Sequence, residues 1–528
     1  MKRLLARATA LLAACVLASC ARAPRPVAKD TLYRHLDGDP ATLDPITTTE
    51  EYGILVEEMI FRPLLALDVR GRPAPGLARS GAVSPDGTSY EFRLDPYAEW
   101  EDGSPVTSDD VLFTIERIRD PKVPAFNYRE LFSEVAGIET PDASTVRVRF
   151  SAPYAERLLA FNLPIVSRAA YARAKSAADL DRHPGGSGPY RLERWNTNQS
   201  IALVRRPGVP ETTAAYRHVV FRIIPDATVR FRAGSSGELD EFRIGRDQLS
   251  TARSSRDFAE RNRLLKVPQP IEAYLLWNVR HPFLSEALAR RALGHAWPRE
   301  ETARRLYPPD GATLVSGPYL PGAAENDPAI RPPAYDPALA GRLLDEAGWR
   351  TGADGLRSRA GRKASFELLY PTGQAVYAAL AEILRSSYRK IGVELVPRAL
   401  DWAAYSERSD AGEFDSQLTA RVFLPPNPDP YPHFHSSQAP PRGQNYGFYR
   451  NPEADRAMET ARREPDPARR LEAYRRVHRL LAADPPADFL WGADQYWGLS
   501  RRVEGSAVSQ LGLFHFLPGP LAWRPARD

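Results

Sequence analysis

Residues 75–118 read PGLARSGAVSPDGTSYEFRLDPYAEWEDGSPVTSDDVLFTIERI, and they contain the signals for a turn, a strand and a helix in succession. Ser84–Gly87 is a typical turn sequence, because proline suits its second position and glycine its last. After the turn, Tyr90, Phe92 and Leu94 recur at every second residue and so lie on one face of an extended strand. The segment therefore predicts a turn that leads into a half-buried strand.

A helix start follows in the same segment. Thr107 stands three residues before Asp110, the spacing of a capping box in which each side chain bonds to the backbone N–H of the other residue. Val111, Ile115 and Ile118 then recur at helical spacing. Another alternating run, TVRVRF, comes shortly afterwards. The first third of the chain is therefore expected to form a small mixed unit of strands and helices.

Helices and strands continue to alternate in the rest of the chain. Asp336 and Pro337 are typical of the first positions of a helix, and Gly348 is typical of its end. Residues 374–391 carry apolar side chains at helical spacing, and a glycine and the strand-like VELV follow them. A last long helical region is predicted over residues 455–482. These patterns predict a mixed α/β protein of two or more lobes.

The amino-terminal sequence has the features of an export signal. Basic residues precede an uncharged apolar run, Ala8–Ala18, which has the length of a secretory signal and is too short to span a membrane. The run ends in Leu-Ala-Ser-Cys, and Cys20 stands where a lipoprotein signal places the cysteine that is diacylated. Residues 1–20 are therefore expected to be a lipoprotein signal peptide, with an ordinary signal peptide as the alternative. Residues 21–29 would form a flexible stalk that holds an extracytoplasmic body, periplasmic or at the cell surface, to a membrane through lipid.

Cysteine and charge content argue against several functions. The chain has 2 Cys, and both lie within the first 20 residues, so the exported body is predicted to contain no disulfide, thiolate metal site or catalytic thiol. Three of the 71 Lys and Arg residues also lie there, against 66 Asp and Glu in the whole chain, so the body is nearly neutral. This balance does not favour nucleic acid as a partner.

No catalytic motif accompanies these features. The nearest approach to a serine nucleophile elbow is GGSGPY, in which Pro189 stands where the last glycine belongs. The sequence contains no phosphate-binding loop and no H-E-x-x-H zinc motif. On a strand, His433 and His435 could present two imidazoles to one metal, but two prolines separate them from Asp429. We predict no enzyme, no cofactor and no metal, and keep as an alternative an exported metal-dependent hydrolase that uses these histidines.

Eight segments of the chain, in their order, resemble the bacterial extracellular solute-binding proteins of family 5, the dipeptide, oligopeptide and nickel type of receptor for ABC importers. The segments are PATLDP from Pro40, residues 75–118, GSGPYRLERW from Gly186, AYLLWNVRHPFLSEALARRAL from Ala273, YDPALAGRLLDEAG from Tyr335, DPYPHFHSSQ from Asp429, NYGFYRNPEADRAM from Asn445 and DPARRLEAYRRVHRLLAADPP from Asp466. Together they extend over essentially the whole chain that follows the signal.

The resemblance implies the two-lobed periplasmic-binding-protein fold, an α/β fold with mixed sheets, a hinge between the lobes and an extra subdomain. It implies a monomer that captures a small-molecule or short-peptide ligand by hinge closure and delivers it to ABC permease and ATPase subunits. The family's pattern assigns the first lobe to residues 30–72, 186–278 and 490–528, the extra subdomain to residues 73–185, and the second lobe to residues 279–489.

The resemblance also implies where the ligand lies. In the family, the counterpart of VFLPPNPDPYP, from Val422, lines the cleft, and peptide-binding members carry an aspartate three residues before the Asp-Pro pair. That pair is Asp429-Pro430 here, and Pro426 occupies the earlier position, so the acid that would hold a peptide ammonium is missing. Either Asp429 or Glu50 replaces it, or the ligand is not a free-amine peptide. A nickel chelate, haem, an opine and a sugar remain alternative ligands.

The candidate ligand-binding residues are aromatic side chains that could pack on a ligand, amides that could bond to it, one arginine that could pair with a carboxylate, one acid, and the residues after the first Asp-Pro pair. They are Trp277, Trp402, Phe423 and Tyr446; Asn278 and Asn427; Arg421; Asp429; and Thr48, Thr49 and Glu50. Each has an ordinary alternative, which is core packing for the aromatic side chains, local backbone contacts for the amides and exposure to solvent for the others.

Overall fold

The computed structural model describes residues 28–125, 128–320, 322–422, 427–440, 443–509 and 511–526. Strands and helices alternate through these residues, as the sequence predicts.

The first half of the described chain contains eleven strands and seven helices. The strands are β1 (Thr31–Leu36), β2 (Leu65–Leu67), β3 (Pro73–Pro75), β4 (Ala78–Val83), β5 (Ser89–Leu94), β6 (Val135–Asp142), β7 (Thr145–Phe150), β8 (Tyr190–Asn196), β9 (Ser200–Arg205), β10 (His218–Ile223) and β11 (Glu241–Ile244). The helices are α1 (Glu51–Ile60), α2 (Ser108–Arg119), α3 (Arg168–Arg173), α4 (Ala177–Arg182), α5 (Ala227–Ser235), α6 (Leu249–Ser254) and α7 (Arg256–Arg261).

The second half of the described chain contains eleven more strands and eight helices. The strands are β12 (Asn262–Trp277), β13 (Ala312–Leu314), β14 (Arg350–Thr351), β15 (Arg357–Arg359), β16 (Arg362–Lys363), β17 (Ser365–Pro371), β18 (Glu394–Leu400), β19 (Ser416–Val422), β20 (Ala487–Ser500), β21 (Val503–Glu504) and β22 (Arg524–Pro525). The helices are α8 (Ala287–His295), α9 (Arg299–Leu306), α10 (Pro337–Glu346), α11 (Ala375–Lys390), α12 (Trp402–Ala411), α13 (Tyr431–Phe434), α14 (Pro452–Arg463) and α15 (Pro467–Ala483).

An 11-stranded sheet runs through the molecule in the order β18-β17-β19-β12-β20-β11-β1-β10-β9-β8, with β13 paired to β20. Its two central strands are antiparallel and long, with 16 residues in β12 and 14 in β20. The strands on one side of this pair come from residues 31–244, and those on the other side come from residues 365–422. β12 and β20 therefore connect two lobes.

The two lobes have separate hydrophobic cores. On β12, Val267 belongs to the core of the first lobe, and Ala273 belongs to the core of the second. The pairing of β12 with β20 is interrupted between Pro268 and Glu272, where the register shifts. Since a bulge bends and twists a strand, this position is suited to act as a hinge. The predicted lobe boundaries at residues 278 and 489 stay predictions, and on β12 the change of core lies nearer the amino terminus.

A separate four-stranded antiparallel sheet, β4-β5-β7-β6, contains the predicted strand that follows the turn at Ser84–Gly87. Tyr90, Phe92 and Leu94 are all buried, as their alternation predicts. The capping box of Thr107 and Asp110 is present at the start of α2. Side chains of this sheet belong to the same core as the first lobe, so the unit is packed on that lobe.

The helical region predicted over residues 455–482 consists of two helices, α14 and α15. Pro465 and Pro467 flank the break, and a proline cannot continue the hydrogen-bond ladder of a helix. Asp466 caps the second helix, because its carboxylate accepts a hydrogen bond of 2.8 Å from Arg469 N. Within the described ranges, no helix combines the length and apolar character needed to cross a bilayer.

Candidate functional site

A pocket lies over one face of the second lobe's sheet, where β12 and β19 pair. Three cross-strand pairs form this face, namely Glu272 with Arg421, Tyr274 with Thr419 and Leu276 with Gln417. Alternate residues of a strand point to opposite sides, so Leu275 and Trp277 point away from the pocket into the core. Five of the six face residues, all except Glu272, line a cavity of about 310 Å³. Other residues that line it include Ser409, His433, Gln444 and Tyr446.

Arg421 is buried beside the pocket and holds the following turn in place. One terminal nitrogen, Nη2, donates to Asp429 O at 2.8 Å and to Asn427 O at 3.2 Å. The other, Nη1, donates to Pro318 O at 3.4 Å. The guanidinium group that was predicted to meet a ligand carboxylate is therefore directed at backbone carbonyl groups.

Glu272 faces Arg421 across the two strands and is 1% exposed. Neither of its carboxylate oxygens has a hydrogen-bond partner. Burial raises the pKa of this carboxyl well above its usual range, and the charge of Arg421 opposes the shift. On its other side Glu272 pairs with Gly492 of β20, which has no side chain. The carboxyl thus lies at the hinge end of the face without a donor.

Asp429, by contrast, has partners. Its Oδ1 atom accepts a hydrogen bond of 2.9 Å from Tyr431 N, and its Oδ2 atom lies 3.1 Å from Arg462 Nε. Burial raises the pKa of Asp429, whereas the positive charge of Arg462 acts in the opposite direction. Asp429 is one of the two acids predicted to bind a ligand ammonium in place of the missing aspartate. It already forms an ion pair with Arg462 of α14.

The lobes contact each other next to this turn. On the side of the first lobe, Tyr154 accepts a hydrogen bond of 2.6 Å from the Asn427 side chain. Ala155 N donates to Arg462 O at 2.9 Å, and the Arg462 guanidinium lies 4.6 Å from the centre of the Tyr154 ring. Close by, Glu156 and Arg470 form an ion pair of 2.9 Å. The second lobe therefore contacts the side of the first lobe beside the turn that carries Asn427 and Asp429.

The predicted residues after the first Asp-Pro pair lie at the start of α1 in the first lobe. Thr48 is buried, and its hydroxyl lies within hydrogen-bond distance of Asp44 O, at 2.9 Å, and of the Glu57 carboxyl. Thr49 is exposed. Glu50 precedes the helix, and its Oε1 atom accepts a hydrogen bond of 2.7 Å from Ala41 N. This second predicted acid is thus bonded locally.

The predicted residues on the second lobe occupy different environments. Trp277 is 0% exposed and packs edge-on against Phe366, and the Asn278 amide donates to Phe414 O at 2.7 Å, so both have the ordinary alternative roles. Trp402 is 69% exposed and stacks on Tyr405. Of the predicted aromatic residues described, only Tyr446 lines the pocket. Phe423 and Pro426 lie outside the described residues.

The two histidines of the H-x-H motif do not lie on a strand. Residues 431–434 form the helical turn α13, so His433 and His435 do not share a face as the strand interpretation requires. His433 lines the pocket, and burial lowers its pKa well below the usual value. His435 stacks on Tyr431 with ring centres 4.0 Å apart and shares a 2.7 Å hydrogen bond with Ser437. Among the described residues, no group of three potential ligands could hold a metal.

A larger open groove lies on the first lobe. It has a volume of about 750 Å³ and is lined by residues that include Trp100, Arg173, Arg182, His183 and Trp195. None of the predicted site residues borders it. It is also distant in sequence from the turn at which the lobes meet. We therefore take the smaller pocket as the candidate site.

Sequence reasoning did not single out Glu272, Tyr274, Tyr154 or Arg462. For Glu272 a signal was present, because it is the lone charged residue in the strand PIEAYLLW. A charge within such a run indicates a side chain with a specific role. The contacts of Tyr154 and Arg462 join distant parts of the chain, and local patterns do not encode them.

The chain is similar in sequence to one protein family and to several known proteins. Residues 72–441 match the family described as "Bacterial extracellular solute-binding proteins, family 5 Middle". The oligopeptide-binding protein AppA of Bacillus subtilis is 25% identical over 89% of this chain and 87% of its own. The dipeptide-binding protein of Escherichia coli is 26% identical over 84% of this chain and 85% of its own.

Solved structures share the fold. The structure of HbpA2 from Haemophilus parasuis superposes with a TM-score of 0.81 and 22% identity, over 94% of this chain and all of the other. Such similar structures are two-lobed binding proteins, so the predicted fold class is confirmed.

Proposed function

Because the chain belongs to family 5 of the bacterial extracellular solute-binding proteins, the substrate-binding proteins of ABC importers, and is not an enzyme, we propose that it captures a peptide or peptide-like solute between its lobes. The observation that carries this proposal is the pocket on the β12–β19 face, beside the turn at which the lobes meet. The matched relatives include oligopeptide- and dipeptide-binding proteins.

Capture follows from hinge closure. An open form exposes the pocket, and a ligand that contacts both lobes binds the closed form more strongly, which shifts the population towards closure. The contacts of Tyr154, Ala155 and Glu156 with the second lobe add to the stability of the closed form. No chemical step is required, so the ligand is released unchanged to the importer.

The proposal includes a membrane anchor and partners. Cys20 would be diacylated and would hold the monomer to a membrane, with the body in the periplasm or on the cell surface. The permease and ATPase subunits of an ABC importer would be its partners. Replacement of Cys20 by Ser in the full chain should abolish incorporation of a labelled fatty acid and release the protein from membranes. Retention of both label and membrane attachment in this variant would contradict the anchor.

The ligand class is tested by thermal unfolding of the protein that begins at Ala21, with and without pooled di-, tri- and longer peptides. A ligand at about 100 times its dissociation constant stabilises the folded state by about 2.7 kcal/mol. This should raise the unfolding midpoint by at least about 1 °C even in a chain of this length. A shift with a nickel chelate, haem, an opine or a sugar, and none with peptides, would keep the receptor function and replace the ligand class. The absence of any shift with all of these solutes would contradict the proposed capture.

A further inference from the structure

The face under the pocket carries buried acceptors that lack donors. Among the residues that the structure describes, Glu272 is the one carboxyl group with both oxygens buried and without a hydrogen-bond partner. On the same face, the Oε1 atom of Gln417 is also buried and unpartnered. Buried polar groups are normally paired, and an unpaired one destabilises the folded state. Both groups accept hydrogen bonds, so a molecule that satisfies them must bring donors.

Glu272 lies within reach of the pocket. Tyr274, two residues further along β12, lines the cavity, as does Arg421 directly opposite Glu272. Two residues of a strand span about 7 Å, which is the length of a short alkyl chain with its terminal group. On the side of β20, the residue paired with Glu272 is Gly492, which has no side chain. A donor that enters from the pocket can therefore approach Glu272 along the face.

The neighbours of Glu272 do not supply this donor. Three charged or titratable residues interact electrostatically with Glu272. They are Arg421 on β19, Tyr274 on the same strand as Glu272, and Tyr319. Arg421 directs its terminal nitrogens to three backbone carbonyls. The Tyr319 hydroxyl donates to Tyr474 O at 2.9 Å. These groups of Arg421 and Tyr319 thus donate to backbone carbonyls, and neither oxygen of Glu272 receives a hydrogen bond.

We propose that Glu272 binds an alkylammonium group of the ligand, so that this receptor selects solutes that carry a primary amine. The inference rests on the proposed function and names its ligand more closely. The amine has two possible sources, the amino terminus of a peptide and the side chain of a lysine residue. Asp429 and Glu50, the acids that sequence reasoning favoured for this role, have their own partners.

The test compares matched ligands on the wild-type protein and the Glu272→Gln variant by isothermal titration calorimetry. The probes are Ala-Ala-Ala, its N-acetylated form, N-acetyl-Ala-Lys-Ala and N-acetyl-Ala-norleucine-Ala. Loss of one partner from a buried ionic hydrogen bond costs 2–5 kcal/mol, so we expect the variant to bind amine-bearing probes at least about 30-fold more weakly. It should bind the amine-free probes as the wild type does. The two amine-bearing probes separate the amino-terminal source from the lysine source.

Two further variants support the comparison. Glu272→Asp keeps the charge on a shorter side chain and should retain part of the preference for amines. Glu260→Gln changes an exposed acid on α7 and should alter none of the affinities. Equal affinity of the wild type for the amine-bearing and the amine-free probe within both matched pairs, or an unchanged preference for amines in Glu272→Gln, would overturn the assignment while leaving solute capture intact.

A last probe separates this inference from the proposed ligand class. Lysine methyl ester carries amines but is not a peptide. Binding of this ester without binding of any peptide would overturn the peptide proposal and support the role of Glu272. A wild-type protein that binds no amine-bearing probe of either kind would overturn the assignment of Glu272.

Discussion

Each lobe contains a buried glutamate that faces an arginine across two neighbouring strands, and the two pairs differ. In the first lobe, Arg34 on β1 is paired with Glu241 on β11, and Arg34 Nε lies 3.0 Å from Glu241 Oε2. In the second lobe, Arg421 donates to backbone carbonyls, and Glu272 has no hydrogen-bond partner. The same two residue types, all buried, thus form an ion pair in one lobe, whereas in the other lobe the carboxyl has no hydrogen-bond partner on either oxygen.

The surroundings of the two arginines account for the difference. The guanidinium of Arg34 lies within 4.8 Å of the ring centres of Phe221 and Phe514, which offer no hydrogen-bond acceptor, so the carboxylate of Glu241 is its natural partner. Arg421 lies beside a turn whose carbonyl oxygens need donors. A buried arginine next to a loop can therefore serve the backbone and leave the facing acid for a ligand.

Removal of Arg34 from its ion pair with Glu241 should cause the largest loss of stability. Burial raises the pKa of Glu241 to about 7, with Arg34 acting in the opposite direction. In Arg34→Met the carboxyl loses its partner, and breaking a buried pair costs about 3 kcal/mol or more in free energy of unfolding. The loss should grow between pH 6 and 8, because the unpaired carboxyl resists ionisation. Urea unfolding at these pH values measures it, and a loss below about 1 kcal/mol would remove the distinction between the two pairs.

A pair at the contact between the lobes should have an intermediate effect. Arg462→Ala removes the charge beside the buried Asp429 and the contact with the Tyr154 ring. We expect a loss of about 2 kcal/mol in free energy of unfolding, because a buried group left without its partner costs about 1–3 kcal/mol. Arg463→Ala, on the same helix but exposed, is the matched control and should change stability by less than about 0.5 kcal/mol. Equal effects of the two variants in urea unfolding would show that Asp429 does not depend on Arg462.

Replacement of Glu272, whose carboxyl has no hydrogen-bond partner, should increase stability instead of lowering it. Near pH 4 the Glu272 carboxyl is neutral in the folded state, and its raised pKa means that rising pH ionises it first in the unfolded chain. The wild type therefore loses stability as pH rises towards the folded-state pKa, whereas glutamine does not titrate. Glu272→Gln should stabilise the unliganded protein by about 0.5–1 kcal/mol at neutral pH and by less at pH 4.5.

Thermal unfolding of the wild type and of Glu272→Gln over this pH range tests whether the substitution stabilises the protein. Glu241→Gln is the matched control, because it leaves the buried Arg34 without a counter-charge and should therefore destabilise the protein. Destabilisation by both glutamine variants to a similar extent would mean that Glu272 is a structural residue like Glu241.

An exposed pair gives the smallest effect. Arg256 and Glu260 on α7 form an ion pair of 2.9 Å, and both side chains are largely exposed. Such pairs contribute about 0.3–0.5 kcal/mol at most. Glu260→Gln should therefore be nearly neutral in urea unfolding, and any loss should disappear at high salt. A loss comparable with that of Arg34→Met would mean that burial does not govern these pairs.

The elements with strong local signals could be predicted from the sequence. The turn at Ser84–Gly87, the face of Tyr90 and Phe92, and the cap at Thr107 depend on residues a few positions apart. The break between α14 and α15 was missed although Pro465 and Pro467 mark it, because the surrounding residues all favour helix. The resemblance to a known family supplied the two lobes, which local patterns alone did not specify.

The candidate site was harder to predict, because it depends on strand register. Arg421 and Tyr446 were identified by position, and both line the pocket. Glu272 faces Arg421 only because β12 and β19 pair at that register, and 148 intervening residues carry no local signal for it. Trp277 was selected for its size, yet the alternation of its strand turns it into the core. Whether any of the predicted residues contacts a ligand stays a prediction.

The two central strands, β12 and β20, also affect how the protein unfolds on heating. β12 and β20 form backbone hydrogen bonds with strands of both lobes. If one lobe unfolded alone, backbone groups of these two strands would lose their hydrogen-bond partners while the other lobe was still folded. Chains with several lobes commonly unfold in separate steps. Here the lobes share two strands of one sheet, and we expect the calorimeter to record a single peak of heat absorption for the whole body.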